Sequence, residues 1–419
     1  MWHESEEAKK GASPPALRTG LTTGSCATAC CVAAATYLLA EKFSPESPPK
    51  SPQVISITLP TRKEKKSKTV ELSIINYEAI ESGVRTSTIK DAGDDPDATH
   101  GATVFIELGL NTSRGVQFKA AVGVGTVTKE GLLLAVGEPA INPVPRQMMV
   151  EHLERLAEEY QYEGGFSVAV GVENGEAIAQ KTMNPRLGIV GGLSILGTTG
   201  IVRPFSCAAW IASIYQGIDV AEANGCTHIA ATTGNRSEET IQEHYQLDDT
   251  ALIEMGDFAG AVLKHLKKLA VEKLSEKPLA ATNMPLATNK NSLATKNKPL
   301  GIKKLSICGG FGKISKLAQG HMDLNSRASS IDFDYLVSVA KSLGATDALC
   351  KKIQGSNTSI EALKHCQDKK IDLALALCQR ALTVAQNIVP DEIDVEVMAI
   401  DRHGKFVAST SASVMRDNY

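Results

Sequence analysis

The chain carries two kinds of hydrophobic pattern, and the change between them falls near residue 187. In the first half, apolar and β-branched residues alternate with polar ones in short runs between Gly, Asp and Pro, which predicts strands. These predicted strands are residues 54–59, 70–75, 102–108 and 117–122. From Leu187 to Cys308, apolar strands, glycine-rich turns and helical segments follow one another, as is typical of a doubly wound, mainly parallel α/β unit.

We therefore predict a two-domain protein of mixed α/β and α+β class. A β-rich α+β domain covers residues 17–186, and an α/β domain with a helical C-terminal part and a final hairpin covers residues 187–419. Residues 1–16 are predicted to be a flexible N-terminus. Residues 276–300 repeat every seven residues, mostly with Pro-Leu as the recurring pair. Because the prolines and the single apolar position per period exclude a coiled coil, we predict a disordered surface insertion there.

Composition narrows the class of protein. The 419 residues are 43% hydrophobic, and 44 Lys and Arg stand against 47 Asp and Glu, so a broad nucleic-acid surface is not expected. The first residues are acidic and polar, and no run of 18 apolar residues occurs, so we expect a cytoplasmic protein that does not bind membranes. Nine cysteines, mostly inside apolar patterns, are expected to be free thiols. For Cys26, Cys30 and Cys31, packing on an Ala-rich helix is a better account than a metal site.

Three Thr-Thr-Gly triplets are the first candidate binding elements, at residues 22–24, 198–200 and 232–234. Hydroxyls and backbone N–H groups at such turns can hold a carboxylate, a phosphate or a ribose, especially where a helix follows. For any one triplet taken alone, helix capping and a tight turn are the better explanation. Three of them in one chain favour binding modestly.

The densest glycine cluster, residues 191–200, has Gly192 and Gly197 at the spacing of a P-loop. Thr198 stands where that loop needs Lys, which argues against nucleoside triphosphate hydrolysis. No G-x-G-x-x-G fingerprint opens the helix, which argues against a dinucleotide. The remaining interpretation is a glycine-rich strand-to-helix turn that a nucleoside such as S-adenosylmethionine approaches closely.

Candidate acid–base and charged groups cluster elsewhere. Residues 90–101 contain four carboxylates and one imidazole, which can supply a general base, hold a sulfonium electrostatically, or form a solvated acidic turn before a strand. The spacing excludes an EF-hand. Several cations stand beside glycine-rich turns and can pair with an acidic substrate, although surface solvation is the default for each. They are Arg18, Lys129, Arg146, Arg203, Lys313 and Lys316.

These segments together resemble the cobalt-precorrin-5B carbon 1 methyltransferase family, the CbiD-type enzymes of anaerobic cobalamin biosynthesis. The matching motifs are long and unusual, and they extend over roughly residues 17–415 apart from the repeat. They are residues 17–27 (LRTGLTTGSCA), 90–101, 123–131, 136–146, 191–204 and 309–318 (GGFGKISKLA). Three residues depart from the expected pattern: Arg203 replaces an acidic residue, Glu130 a Pro, and Gly310 often a His.

The resemblance implies transfer of a methyl group from S-adenosylmethionine to carbon 1 of cobalt-precorrin-5B, which gives cobalt-precorrin-6A. Cobalt enters only as part of this tetrapyrrole substrate, and a homo-oligomer or contact with other cobalamin-pathway enzymes is compatible with the family. A non-enzymatic corrinoid carrier or assembly protein and a nucleotide-dependent α/β enzyme remain the alternatives.

The residue roles follow from the same resemblance. For the donor, we expect Gly191, Gly192, Gly197, Thr198, Thr199, Gly200, Thr232, Thr233 and Gly234. For the substrate and its carboxylates, we expect Arg18, Thr22, Thr23, Lys129, Arg146 and Lys313. For catalytic proton handling at the ring, we expect Asp94, Asp95, His100 and Glu138.

Overall fold

The computed structural model describes residues 17–43, 51–60, 68–274 and 300–411. The predicted flexible N-terminus and all but the last residue of the predicted repeat insertion lie outside these ranges. That last residue, Leu300, is buried in a hydrophobic core, so the predicted insertion extends one residue too far. The described residues form helices and sheets in both halves, and the predicted mixed α/β class is confirmed.

The chain divides into two compact units, one up to Ser206 and one from Cys207, with Glu130–Leu132 belonging to the second. The elements of the first unit are, in chain order, β1 (Gly20–Leu21), α1 (Thr23–Phe43), β2 (Val54–Thr58), β3 (Thr69–Ser73), β4 (Asn76–Ile80), β5 (Gly83–Ile89), β6 (Thr103–Asn111), β7 (Gly115–Ala120), β8 (Gly123–Val124), β9 (Thr126–Val127), α2 (Pro143–Glu159), β10 (Gly165–Val172), α3 (Gly175–Ala179), β11 (Ile189–Val190), β12 (Gly192–Leu193) and β13 (Ile201–Val202).

The first unit is built around α1 and a five-stranded sheet in the order β4-β5-β6-β10-β7. Neighbouring strands are antiparallel except β10 and β7, which are parallel. Small residues let α1 lie close to the sheet, and the Thr86 hydroxyl on β5 donates to the Cys30 carbonyl at 2.8 Å. By length and composition α1 could cross a membrane, but most of it is buried inside the unit. A buried, apolar helix of this kind is a core helix.

The predicted domain boundary at residue 187 is wrong, because residues 189–202 pair with strands of the first unit. The strand β11 pairs with β9, β12 with β8, and β13 with β1. The glycine-rich apolar run looked like the first strand of the α/β pattern, but its partners lie earlier in the chain. The boundary therefore falls between Ser206 and Cys207.

The elements of the second unit are α4 (Cys207–Ala223), β14 (His228–Thr232), α5 (Asn235–Tyr245), a turn of 3-10 helix (Asp249–Ala251), β15 (Leu252–Glu254), α6 (Ala259–Leu274), β16 (Lys304–Gly310), α7 (Phe311–Ala318), α8 (Phe333–Ser342), α9 (Asp347–Gln354), α10 (Ser359–Gln367), α11 (Leu373–Gln386), β17 (Asp394–Ile400) and β18 (Phe406–Ser409). The sheet has the order β15-β14-β16-β17-β18. Its first four strands are parallel, and β18 returns antiparallel to β17.

Helices cover both faces of this sheet. On β14, Ile229 and Ala231 belong to the large core with α4 and α6, whereas Ala230 between them packs with Ile241 of α5 on the other face. Successive side chains on a strand point to opposite faces, so these assignments place α5 opposite the other helices. The chain passes from β14 to β15 on one side and then to β16 on the other. This reversal puts a topological switch point between β14 and β16.

Glu222 in α4 anchors the backbone at residues 301 and 302 of the second unit. Its carboxylate accepts the N–H groups of Gly301 at 2.8 Å and Ile302 at 2.9 Å and forms an ion pair with Lys273. Burial opposes ionisation of Glu222, but the hydrogen bonds from Lys273, Gly301 and Ile302 outweigh it, so its pKa lies below its ordinary value. Because the folded-state pKa is depressed, this carboxylate stabilises the unit at neutral pH.

We expect Glu222→Ala to lower the free energy of unfolding by about 3 kcal/mol at pH 7, because two backbone donors and a lysine lose a charged acceptor. Glu222→Gln keeps one acceptor oxygen and should cost less. The advantage of the wild type over Glu222→Gln should shrink as the pH falls below about 4, where the carboxyl becomes protonated. Denaturant unfolding at several pH values measures this, and an advantage that does not vary with pH would contradict it.

Candidate functional site

Three motif segments of the first unit meet in one place, which we call the three-segment site: residues 17–24, 91–101 and 196–205. The strand β1 pairs with β13 through Gly20 and Val202, and the Leu21 N–H donates to the Asp91 carbonyl at 2.8 Å. A further bridge joins Thr19 to Gly93. The N-terminal segment therefore lies between the acidic turn and the end of the glycine-rich loop.

Glycine is required where the first two segments touch. A Cβ on Gly20 would lie 2.0 Å from the carbonyl carbon of Ala92, and a Cβ on Gly93 would lie 2.2 Å from the Arg18 carbonyl oxygen. Gly93 also has a φ of +70°, which favours glycine by itself. No side chain fits at either position without separating the two backbones.

Lys90 anchors the acidic turn through a buried side chain. Its side chain is only 1% exposed, and its ammonium pairs with Asp97 and donates to the Thr99 hydroxyl at 2.6 Å. Asp97 in turn accepts the Thr99 N–H at 2.7 Å. Burial would raise the pKa of Asp97, but Lys90 and Thr99 together hold it below its ordinary value. This carboxylate is thus a structural partner of a buried cation.

The remaining charged groups of the turn are bound within the unit. Arg18 pairs with Asp91 through two N–H groups and holds the pKa of that carboxyl at about 2. Asp94 accepts the Arg18 backbone N–H at 2.6 Å, and Asp95 accepts the Phe205 N–H at 2.9 Å. His100 accepts the Ala92 N–H through Nδ1 at 3.1 Å, which leaves Nε2 as its protonated nitrogen when neutral. The structure thus brings together Arg18, Asp94, Asp95 and His100.

Thr22 immediately precedes α1 and Thr23 is its first residue, beside the glycine-rich loop. The Thr22 hydroxyl accepts the Ser25 N–H at 3.2 Å, which is the geometry of a helix cap. It also lies where a Cβ on Gly197 would fall, at 2.3 Å. The Ser25 hydroxyl donates to the Gly200 carbonyl at 2.8 Å. The first triplet therefore caps α1 and fixes the loop that carries the second.

The predicted strand-to-helix turn at residues 191–200 is wrong: the segment connects β12 to β13, and the next helix begins at Cys207. Gly192 is buried against the backbone of Gly123, whereas Gly191, Thr198 and Thr199 are exposed. The predicted donor set is also divided, because Gly191, Gly192, Gly197, Thr198, Thr199 and Gly200 lie in the first unit and Thr232, Thr233 and Gly234 in the second.

Glu138 and Lys129 belong to the loop that follows β9, and Arg146 lies in the first turn of α2, just after that loop. The Arg146 guanidinium donates to the Ile141 carbonyl at 2.7 Å and the Pro139 carbonyl at 3.0 Å, and it lies 3.5 Å from Glu138. The aliphatic part of Lys129 packs against Gly188. These contacts give Arg146 a role in holding the loop, which competes with the predicted role in binding substrate carboxylates.

In the second unit, glycine-rich turns end the two strands at the switch point. Thr232 is the last residue of β14, and α5 begins after Gly234; Gly310 ends β16, and α7 begins with Phe311. A Cβ on Gly309 would lie 2.6 Å from Thr233 Cγ2, so the two turns touch, whereas Gly234 and Gly310 face open space. Two helix N-termini and bare backbone therefore meet at the carboxyl edge of the sheet.

Lys313, predicted to bind substrate, lies in α7 of this second unit and pairs with Asp257. Burial lowers its pKa, with a further contribution from Lys316 and partial opposition from Asp323.

In the first unit, burial raises the pKa of the Cys26 thiol in α1 to about 12. Within the described ranges, no group of three or more His, Cys, Asp or Glu side chains could hold a metal ion.

Sequence reasoning missed four features of these sites: Lys90, Phe205, Trp210 and the turn at Gly309 and Gly310. Three of them lie inside or next to the motifs that resemble the family. A Gly-Gly pair after an apolar strand is a signal for close backbone approach. The burial of Lys90 had no signal, because lysine is almost always exposed.

A family model described as CbiD matches residues 10–204, and one described as CbiD, C-terminal domain, matches residues 323–411. The first match ends just before the boundary between the two units. A curated cobalt-precorrin-5B C(1)-methyltransferase of Marinomonas sp. (strain MWYL1) is 60% identical over 97% of this chain and 96% of its own.

Two further relatives carry related names. A cobalt-precorrin-5B C(1)-methyltransferase of Burkholderia lata is 54% identical over 94% of this chain and 97% of its own. A crystal structure of the cobalamin biosynthesis protein cbiD from Archaeoglobus fulgidus is 26% identical, covers 59% of this chain and 74% of its own, and has a TM-score of 0.35.

We expect Asp97→Ala to lower the free energy of unfolding by about 3 kcal/mol, because it leaves a buried ammonium without its counter-ion. Lys90→Met in the same chain should recover much of that loss, since no buried charge then remains. Chemical denaturation of the two single variants and the double variant measures the coupling. Additive losses would show that the pair is not a unit.

The same ion pair predicts a pH dependence. The pKa of Asp97 is depressed in the folded protein, so its stabilisation is complete above the unfolded-state value near 4 and is lost as the pH falls further. The difference in unfolding free energy between wild type and Asp97→Asn should therefore narrow below about pH 4. A constant difference from pH 7 to pH 3 would disprove this role for Asp97.

Proposed function

The chain belongs to the CbiD family, and we propose that it transfers a methyl group from S-adenosylmethionine to carbon 1 of cobalt-precorrin-5B, giving cobalt-precorrin-6A. The observation that carries the proposal is the 60% identity to a curated cobalt-precorrin-5B C(1)-methyltransferase over nearly the full length of both chains. We further propose a cytoplasmic location, in keeping with the burial of α1 within its unit.

The donor is proposed to bind in the second unit, at the carboxyl edge between β14 and β16. Ligands of open α/β sheets bind at such switch points, and helix N-termini favour an anionic group such as the donor's carboxylate. The open backbone at Gly234 and Gly310 and the hydroxyl of Thr233 lie there. These groups fit a small nucleoside with a carboxylate better than the exposed turn at residues 198–200, which a strand, β13, follows directly.

Trp210 provides an apolar surface at the same edge. Its indole N–H donates to the Glu254 carbonyl at 3.3 Å, and its ring packs on Gly256, whose N–H donates to the Thr232 carbonyl at 3.1 Å. The side chain remains 44% exposed. We assign it to the adenine of the donor, because aromatic rings bind nucleobases by stacking.

When bound, S-adenosylmethionine supplies a methyl group on a positively charged sulfur. The chain's own groups would then position the donor and the tetrapyrrole rather than activate either of them, since displacement at a sulfonium methyl depends mainly on alignment. The tetrapyrrole is proposed to bind at the three-segment site, where Arg18 and Arg203 lie exposed and can meet its carboxylates. His100, with a half-exposed ring, is the proposed group for a proton at the macrocycle.

Anaerobic incubation with cobalt-precorrin-5B and methyl-labelled S-adenosylmethionine, followed by mass analysis, tests the function. We expect one labelled methyl group per tetrapyrrole, at carbon 1. A corrinoid carrier would bind the tetrapyrrole and transfer nothing, and a nucleotide-dependent enzyme would bind its own nucleotide in preference to S-adenosylmethionine. Either result would contradict the proposal.

The donor site has its own test, because the chain contains two tryptophans, Trp2 and Trp210. In Trp2→Phe protein the emission of Trp210 should change saturably with S-adenosylhomocysteine. Adding Thr233→Val, which removes a hydroxyl at constant volume, should weaken binding by about tenfold. Thr383→Val, which removes an exposed hydroxyl on α11, is the matched control and should leave the Kd unchanged. Calorimetric binding without any response at Trp210 or Thr233 would place the donor elsewhere.

A further inference from the structure

Phe205 has a backbone conformation that its residue type disfavours. Its φ is +54°, a left-handed value that is a true outlier for a bulky side chain. It follows Pro204 in a turn, and a turn with proline followed by a positive φ normally takes glycine in the second place. Strain of this kind persists where the surroundings enforce it, and it concentrates at functional sites.

The other described non-glycine residues with positive φ have ordinary explanations. They are polar residues in turns or at the ends of helices, namely Gln161, Asn174, Gln246 and Lys370. Phe205 is the one aromatic residue among the five and, unlike Gln161, Gln246 and Lys370, it does not follow a helix. Helix termination therefore does not account for its conformation.

Asp95 holds this conformation. Its Oδ1 accepts the Phe205 N–H at 2.9 Å across 110 residues of chain. The contact joins the acidic turn to the end of the glycine-rich loop. A hydrogen bond to a carboxylate is stronger than one to a neutral group, so it can offset the left-handed strain.

The held conformation presents an apolar surface. The Phe205 side chain is 68% exposed, and Leu17 and Leu196 on the same three-segment site are also large and exposed. Two arginines belong to the same site: Arg203 is exposed two residues earlier in the chain, and Arg18, whose backbone N–H donates to Asp94, is exposed and pairs with Asp91. Exposed apolar side chains and cations on one site complement a macrocycle whose ring is apolar and whose rim carries carboxylates.

We propose that Phe205 contacts the face of the tetrapyrrole ring, and that Asp95 is a positioning residue that holds Phe205 in its left-handed conformation. This inference rests on the proposed function, because it takes the substrate to be cobalt-precorrin-5B. It reassigns Asp95 from proton handling to positioning. The binding energy of the ring then depends on the hydrogen bond that the Phe205 backbone N–H donates to the Asp95 carboxylate.

Replacing Phe205 with glycine separates loss of the ring contact from loss of protein stability, because glycine is favoured at a positive φ. Phe205→Gly should leave the Tm unchanged or raise it, yet increase the KM for cobalt-precorrin-5B by about tenfold with kcat little changed. Phe205→Trp, which keeps an aromatic ring, should have a KM near that of wild type. Ile75→Ala, which trims an exposed apolar side chain of the first unit, is the control and should not alter it. A KM for Phe205→Gly within twofold of wild type would overturn the contact.

The positioning role of Asp95 is tested by two variants, one of which keeps a hydrogen-bond acceptor and one of which removes it. Asp95→Asn keeps an oxygen that can accept the Phe205 N–H and should retain a KM near that of wild type, whereas Asp95→Ala should raise the KM as Phe205→Gly does. Equal loss of kcat in Asp95→Asn and Asp95→Ala would mean that the charge or proton matters and would overturn the positioning role. Failure of the wild type to methylate cobalt-precorrin-5B would instead overturn the proposed function and this inference with it.

Discussion

The close approach of two backbones at Gly20 and Gly93 is the constraint on which the first unit's site depends. With no room for a side chain at either position, the N-terminal segment lies directly against the acidic turn and pairs on its other side with β13. The buried ion pair of Lys90 and Asp97 supports the turn from within the unit. One steric condition thus brings together motifs that are far apart in the chain.

This arrangement explains why so few of the charged groups in the acidic turn are free to act. Asp91, Asp94, Asp95 and Asp97 each accept a hydrogen bond or pair with a cation of the same unit. Their work is to fix the backbone and to hold Phe205 and Arg18 at the surface. A site of this kind suits a reaction in which alignment of the two substrates matters more than acid–base chemistry.

Much of the secondary structure could be predicted from local pattern, and most of the site could not. The predicted strands at residues 54–59 and 102–108 were found close to their predicted bounds, because their periodicity is strong. The hairpin of β4 and β5 was missed because β4 is exposed and shows weak alternation. The boundary at residue 187 failed because strand partners are set by distant segments, which a local pattern cannot identify.

The site residues followed the same division. The glycine motifs marked the right places, since close approach restricts residue type, but the donor set fell in two units because the partners of β11 and β12 were unknown. The activity was predicted from the resemblance of the motifs to a family. Burial and hydrogen bonding in the structure then distinguished groups that hold the fold, such as Arg146 and Asp97. They also revealed exposed side chains such as Phe205 and Trp210. Neither burial nor long-range hydrogen bonding can be read from one sequence.

The central claim is that the two units divide the work, with the tetrapyrrole at the three-segment site and the donor at the carboxyl edge of β14 and β16. Hydrogen–deuterium exchange of the whole protein, with each ligand added alone, tests it most directly. Cobalt-precorrin-5B should protect peptides covering residues 17–24, 91–101 and 196–205, and S-adenosylhomocysteine should protect residues 232–236 and 309–313. Protection of the opposite set by either ligand would contradict the account.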